Sequence, residues 1–365
     1  MKNFLVLLML MTLPPLDAAA QPADGQKSWD ETLDAARKEG KLVVAGPPSA
    51  ELRQTMPAAF KARFGIGIEY LGGRSAETAV RMRAERQAGI HSIDALLAGN
   101  DSMALIFYRE KMIVPLKPSL VLPDVLDGSK WKKGKLWFSD PEQEYILRLA
   151  NSVTTMFHIN TNEVKPGELR SVRDLLNPKW KGRIALQDPT IAGSGSNQAA
   201  HLYFQHGEDF VKQLYVDQKP MISRDTRQIT DGLARGIYPI ALGAEDADVE
   251  KLRAEGIPLA LLDNLSDLYR EVSAGFGQVA MVGDAPHPNA AKVFVNWLAS
   301  KEGSEVYARA MGVAPTRNDI DESFLPAQII PKEGVSYFDT YDWEFTTTKK
   351  EKARQRMKEL LLQGR

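Results

Sequence analysis

One pattern recurs along this chain and limits the folds open to it: a short apolar run, a turn rich in Gly, Pro or Ser, then a stretch of helical spacing. Lys41 to Ala45 (KLVVA) is followed by Gly46-Pro47-Pro48-Ser49 and a helix through Phe64. Ile66 to Leu71 closes at Gly72-Gly73-Arg74-Ser75 before a helix to about Gln87, and Ile93 to Ala98 (IDALLA) ends at Gly99-Asn100-Asp101. Ahead of them, Trp29, Leu33 and Ala36 share a helix face and Gly40 supplies the C-cap. Such repetition builds an α/β fold with a mainly parallel sheet, whose apolar strands need helices on both faces. Ligands of these sheets sit beyond the carboxyl ends of the strands. The loops after Ala45, Leu71 and Ala98 therefore share one rim.

From Trp131 to Gln143 the sequence turns aromatic, charged and irregular, and Tyr145 to Ile159 reads as extended. A second series follows. Asn177 to Ala185 leads into a strand, Gly193-Ser194-Gly195-Ser196 opens a helix, and Pro239 to Leu242 is a strand ending at Gly243-Ala244-Glu245-Asp246. Glu271 to Val282 reads as an extended return crossing, Pro288 to Leu298 as an amphipathic helix, and Lys349 to Leu362 as a charged surface helix. At 365 residues the chain exceeds what one core usually supports. Two lobes joined by two crossings are expected, each a mixed, mainly parallel sheet flanked by helices. The first takes residues 27–145 and 270–320 and the second 146–269, with 321–365 a C-terminal helical extension.

Lys2, the apolar run Phe4 to Leu13, Pro14-Pro15 and Ala18-Ala19-Ala20 make residues 1–20 a secretory signal peptide cleaved near Ala20. The mature chain is then periplasmic. With no cysteine it has no disulfides, thiolate metal sites or cysteine nucleophile. With 46 basic against 47 acidic side chains it lacks the basic excess of nucleic-acid binders.

The stretches EGKLVVAG (Glu39 to Gly46), FHINTNEVKP (Phe157 to Pro166), DLLNPKWKGRIAL (Asp174 to Leu186) and PHPNAAKVFVNWLASKEGSEVY (Pro286 to Tyr307) resemble those of periplasmic solute-binding proteins of ABC importers. The resemblance is to extracellular solute-binding family 1, in the branch of the ferric-ion-binding proteins, and covers essentially the whole mature chain. It implies a type II clamshell that holds a small-molecule solute between its lobes and delivers it to an inner-membrane ABC permease. It also implies a monomer that is not an enzyme and needs no cofactor.

The site candidates each have a plainer reading. Ser194, Gly195 and Ser196 open a helix and offer an anion seat of N–H groups and hydroxyls, or simply a serine cap. In the resembling family the matching loop contacts the anion held in the cleft. Arg74, next to Ser75, can grip a carboxylate, phosphate or sulfonate, or stand solvated beside a helix start. Arg224 can face it from the other lobe, or form a surface pair while Asp225 caps a helix. Asn100 and Asp101 offer donors and acceptors at the third strand's end, or capping. Ser49 and Glu245 are expected to supply orienting hydrogen bonds.

In the ferric-ion-binding proteins the loop at Glu245-Asp246 carries adjacent tyrosines that hold the metal, and Pro48 and Gly99 stand where a histidine and an acidic ligand are found. No metal site is assigned here. A carboxylate pair opposite an arginine suits a polar organic solute with acidic and donor groups, of organic acid, phosphonate or sulfonate type. Two alternatives stay open: ferric iron held by carboxylates with a synergistic anion, and a periplasmic hydrolase. Trp137, Phe138 and Tyr145 can stack on a ligand or fill the core. The spacing of His201 and His206 does not match a helical zinc pair.

Overall fold

A computed structural model describes residues 22–364 apart from 155, 192 and 264; the signal segment 1–20 lies outside the described residues. The chain forms a two-lobed type II α/β fold around two sheets. In the first sheet, Lys41–Gly46 pairs in parallel with Gly67–Gly72 and with Ala95–Ala98. Gln278–Val282 then runs antiparallel beside Ala95–Ala98 and carries Ile113–Val114 and Leu147–Arg148 on its other side.

Alternate residues of these strands enter different cores. Leu42, Val44, Ala95, Leu97, Val279 and Met281 face one, and Val43, Ala45, Leu96, Ala98, Ala280 and Val282 the other. Burial on both faces is why the strands read as unbroken apolar runs. On one face the helix Ala50–Phe64 sets Phe60 edge-on against Phe294 and Trp297, both on the helix Pro288–Ala299.

The second sheet orders its strands Leu259–Leu262, Phe157–Asn160, Ile240–Leu242, Ile184–Gln187 and Met221–Ser223. The last three are mutually parallel and the first two antiparallel to their neighbours. Ile184, Leu186, Ile240 and Leu242 face one core while Ala185 and Ala241 face the other.

Between the sheets lies a third, of three short strands. Ser152–Thr154, on the way into the second lobe, pairs antiparallel with Glu271–Ser273, on the way back. Phe338–Asp339 adds in parallel to Glu271–Ser273. The extended stretch Tyr145 to Ile159 thus holds three strands. Its first, Leu147–Arg148, pairs in the first sheet, although a division after residue 145 places it in the second lobe.

The C-terminal stretch differs most from expectation. The helix Lys350–Gln363 carries charge on its outer face, but Ala353, Met357 and Leu360 are buried, the last two within the second lobe's main core. The full charge count of the stretch hides this narrow apolar stripe. Met357→Ala should therefore lower stability by about 2–5 kcal/mol, the usual cost of emptying such a core position. Denaturant unfolding followed by tryptophan fluorescence checks this, and an unchanged midpoint would mean the helix adds nothing to the lobe.

A candidate solute cavity at the junction of the lobes

Three strand-to-helix turns of the second lobe open toward one place. Ile184–Gln187 leads to the helix Ser194–His206, Met221–Ser223 to Thr226–Ala234, and Ile240–Leu242 to Asp246–Ala254. First-turn N–H groups of a helix lack intrahelical acceptors, so each start presents positive potential. Here a cavity of about 180 Å³ is lined by Ser194, Asn197, Gln198, Thr226 and Gly243 to Asp246. Thr154, Glu271 and Ser273 of the linking strands and Thr340 of the C-terminal stretch complete its wall.

Two glycines permit the close packing. A Cβ on Gly195 would stand 2.6 Å from the Asp188 carbonyl oxygen, so only glycine lets the helix start so near the strand end. Gly243 has φ 90°, and a Cβ there would lie 2.7 Å from that of Gln187.

Ser194 and Glu245 are the two predicted side chains that line the cavity. The Ser194 hydroxyl donates to Gln187 Oε1 at 2.7 Å. Ser196 is buried and its hydroxyl turns back to the Gly193 carbonyl at 3.0 Å, so only its backbone can serve an anion. Partial withdrawal from water at the cavity wall, with Asp246 and Asp248 nearby, raises the carboxyl of the otherwise exposed Glu245 above the usual range.

Asp246 stands with its Oδ1 3.0 Å from Nε2 of the fully buried His158, out of hydrogen-bond line. Glu271 is better fixed. Its Oε1 lies 2.9 Å from Nδ1 of His201, whose ring stacks on Phe338 with centroids 3.9 Å apart.

The other predicted residues are placed elsewhere. Ser49 caps the helix Ala50–Phe64 by accepting from the Leu52 N–H at 3.2 Å. Arg74 is exposed at the start of the helix Ser75–Gln87 and does not line the cavity, and Ser75 Oγ accepts from the Gly99 N–H at 3.5 Å. The Glu245 loop therefore has no arginine opposite it in this cavity. Arg224 donates to Asp188 Oδ2 at 2.9 Å and borders a separate hollow with Lys219 and Lys358, while Asp225 caps the next helix.

Asn100 and Asp101 are engaged by the C-terminal stretch. The Asn100 amide donates to the Thr340 carbonyl at 3.2 Å and to the Thr346 hydroxyl, and its Oδ1 accepts from Gln278 at 3.2 Å. Asp101 pairs with the buried Lys350 ammonium. Arg109 donates to the Thr347 carbonyl at 3.1 Å, and Trp343 packs edge-on against Tyr108, itself edge-on to Tyr145. Phe345 meets Phe338 and Phe204 on the second-lobe side. The stretch thus touches both lobes. Phe138 is buried in the first core, and the Trp137 face carries Lys133 and Arg148 at 3.9 and 4.1 Å.

Gln198, Thr226, Glu271, Ser273 and Thr340 escaped the sequence reading. Glu271 had one signal, an acidic residue opening an otherwise extended crossing; Thr340 had none. Among the described residues no helix is long and apolar enough to cross a membrane, and no group of three or more His, Cys, Asp or Glu can hold a metal ion.

A two-lobed fold with a polar cavity at its junction defines a solute-binding class of protein. The sequence profile of the bacterial extracellular solute-binding proteins matches residues 55–329, three quarters of the chain. The chain belongs to that family. An uncharacterized protein of Haemophilus influenzae is 26% identical over 286 residues, 74% of this chain and 76% of that protein.

Among solved structures, the periplasmic binding protein AfuA of Actinobacillus pleuropneumoniae, with fructose-6-phosphate bound, superposes with a TM-score of 0.62 at 18% identity. The match covers 88% of this chain and 97% of that one. Iron-bound HitA of Pseudomonas aeruginosa gives 0.63 at 15% identity, covering 88% and 99%. A Trichodesmium protein, IdiA (FutA), in complex with iron and citrate gives 0.67 at 18%, covering 88% and 99%. At these identities the superpositions establish the fold.

Two outcomes follow. Because its raised carboxyl favours the protonated folded state, Glu245 should withdraw stability as pH climbs from the unfolded carboxylate range toward neutrality. Glu245→Gln should then raise the urea midpoint at pH 7 while leaving it unchanged near pH 4, and equal effects at both pH values would refute this. Asp101→Ala should cost about 1.5–3 kcal/mol in the same assay by stranding the Lys350 ammonium.

Proposed function

We propose that this chain is the periplasmic solute-capturing component of an ABC importer, taking a small polar, anionic solute into the junction cavity and handing it to an inner-membrane permease. One observation carries the reading: the cavity is walled at once by the second lobe's turns and by both linking strands. A ligand there touches the elements whose bending would bring the first-lobe rim down on it. Ligand-driven closure requires contacts that the open state does not make, and the Arg74 loop is the natural source of them.

Three converging helix starts support an anionic group on the solute. Organic acids, phosphonates and sulfonates are the classes in view. The two sheet-centred bodies serve as the lobes, divided at Ser152–Thr154 and Glu271–Ser273, with residues 1–20 removed on export. The protein works as a monomer without a cofactor and binds its solute without converting it. Ferric iron is the weaker reading, since no tyrosine lines the cavity and, among the described residues, no three His, Cys, Asp or Glu groups can share an ion.

A thermal-shift screen of carboxylates, phosphonates, sulfonates and metal salts on the mature chain tests this. An anion that binds the folded state should raise the midpoint by mass action. If neutral sugars raise it and every anion fails, the anionic reading is wrong.

A further inference from the structure

The cavity wall is unbalanced in its hydrogen-bonding capacity. Two of its hydroxyl donors are already committed: the Ser194 hydroxyl donates to Gln187, and the Thr340 hydroxyl donates to the Val272 carbonyl at 3.0 Å. Several of its acceptors are free. Gln198 is only 8% exposed, and its Oε1 is buried without a partner although the residue lines the cavity. Asn197 Oδ1 beside it is also buried and unpartnered. Such acceptors are rare in folded proteins, because an unmet buried polar atom has lost its water for nothing. Three carboxylates, Glu245, Asp246 and Glu271, line the same space, and no lysine or arginine does.

Glu271 is held ready to accept. The Gln205 amide nitrogen donates to the Asp267 carbonyl at 2.9 Å, and its Oε1 accepts from the Tyr269 N–H at 3.3 Å. That oxygen also faces His201 Nε2 at 2.8 Å, so Nε2 must carry a hydrogen. Nδ1 of the same ring faces Glu271 Oε1 at 2.9 Å and so occupies one carboxylate oxygen. The other oxygen is open to a further donor. A compact metal ion does not answer this demand, since among the described residues no three His, Cys, Asp or Glu groups stand close enough to hold one.

We propose that the solute presents several N–H or O–H donors to Glu245, Asp246, Glu271 and Gln198, on the end away from its anionic group. The proposal rests on the reading of this cavity as the solute site. An ammonium group and a cluster of hydroxyls share that chemistry, and they can be told apart by charge.

The test is calorimetric titration of the mature chain with ethyl phosphate, phosphoethanolamine and glycerol 3-phosphate. These share an anionic end and differ in donors. At least one donor-bearing probe should bind about tenfold or more tightly than ethyl phosphate, and Gln198→Leu or Glu245→Gln should remove most of that advantage. Loss confined to phosphoethanolamine in Glu245→Gln assigns the ammonium; loss of glycerol 3-phosphate in Gln198→Leu assigns hydroxyls. Glu245 is exposed, and its carboxylate makes no hydrogen bond among the described residues, so its variant should fold even where one at Glu271 does not. Ethyl phosphate binding as tightly as both others overturns the donor requirement and leaves the anion reading standing. If none of the three binds and no carboxylate, phosphonate or sulfonate raises the thermal midpoint, the anionic-solute reading falls, and the inference with it. If none binds but a donor-free anion of that screen does, the inference alone falls.

Discussion

The antiparallel pairing of Ser152–Thr154 with Glu271–Ser273 is the constraint on which the rest of this molecule depends. The chain leaves the first lobe through one strand and returns through the other, so the two lobes can be related only as these strands allow. The pairing also sets the cavity floor: Thr154 and Ser273 come from opposite strands, and Glu271 directly opposes Thr154. Beside it the guanidinium of Arg148 is buried between Trp137 and Tyr341 and bonded to Asp339 and Asn151. Burying that charge is tolerable because a carboxylate and an amide oxygen meet its two terminal nitrogens, while Nε stays without a partner.

The C-terminal stretch makes the junction a meeting of three segments of the chain. Phe338–Asp339 joins the linking strands, Thr340 reaches the cavity, and Asn100 and Lys350 tie the stretch to the first lobe. It ends on the second-lobe core through Met357 and Leu360. Polar residues at the first-lobe strand ends that suit a ligand, Asn100 and Asp101 above all, are occupied by this internal partner. The acceptors that stay unmatched, Gln198 Oε1 and Glu245 with one oxygen of Glu271, line the cavity on the second-lobe and linking-strand side.

Local chemistry was ambiguous in a consistent way. Ser49 and Asp225 are helix caps, Arg224 is matched by Asp188, and Trp137 is covered by cations. In each case a partner close in sequence or packed nearby absorbs the polar group before any ligand can. Ser194 and Glu245 escape because they sit where three helix starts converge.

Apolar runs buried on both faces, broken by glycine and proline turns, were enough to announce two covered sheets, since no other arrangement hides Leu42 to Ala45 or Ile240 to Leu242 from water. The same turns placed Ser194 and Glu245 at a strand-end rim, because side-chain direction and strand polarity are local properties. What faces that rim is not local. Thr340 and Glu271 stand 146 and 77 residues beyond Ser194, and nothing in their neighbours' types shows that they meet it. Only the folding of the C-terminal stretch back over the paired linking strands decided which polar groups are satisfied inside the protein and which remain for a solute.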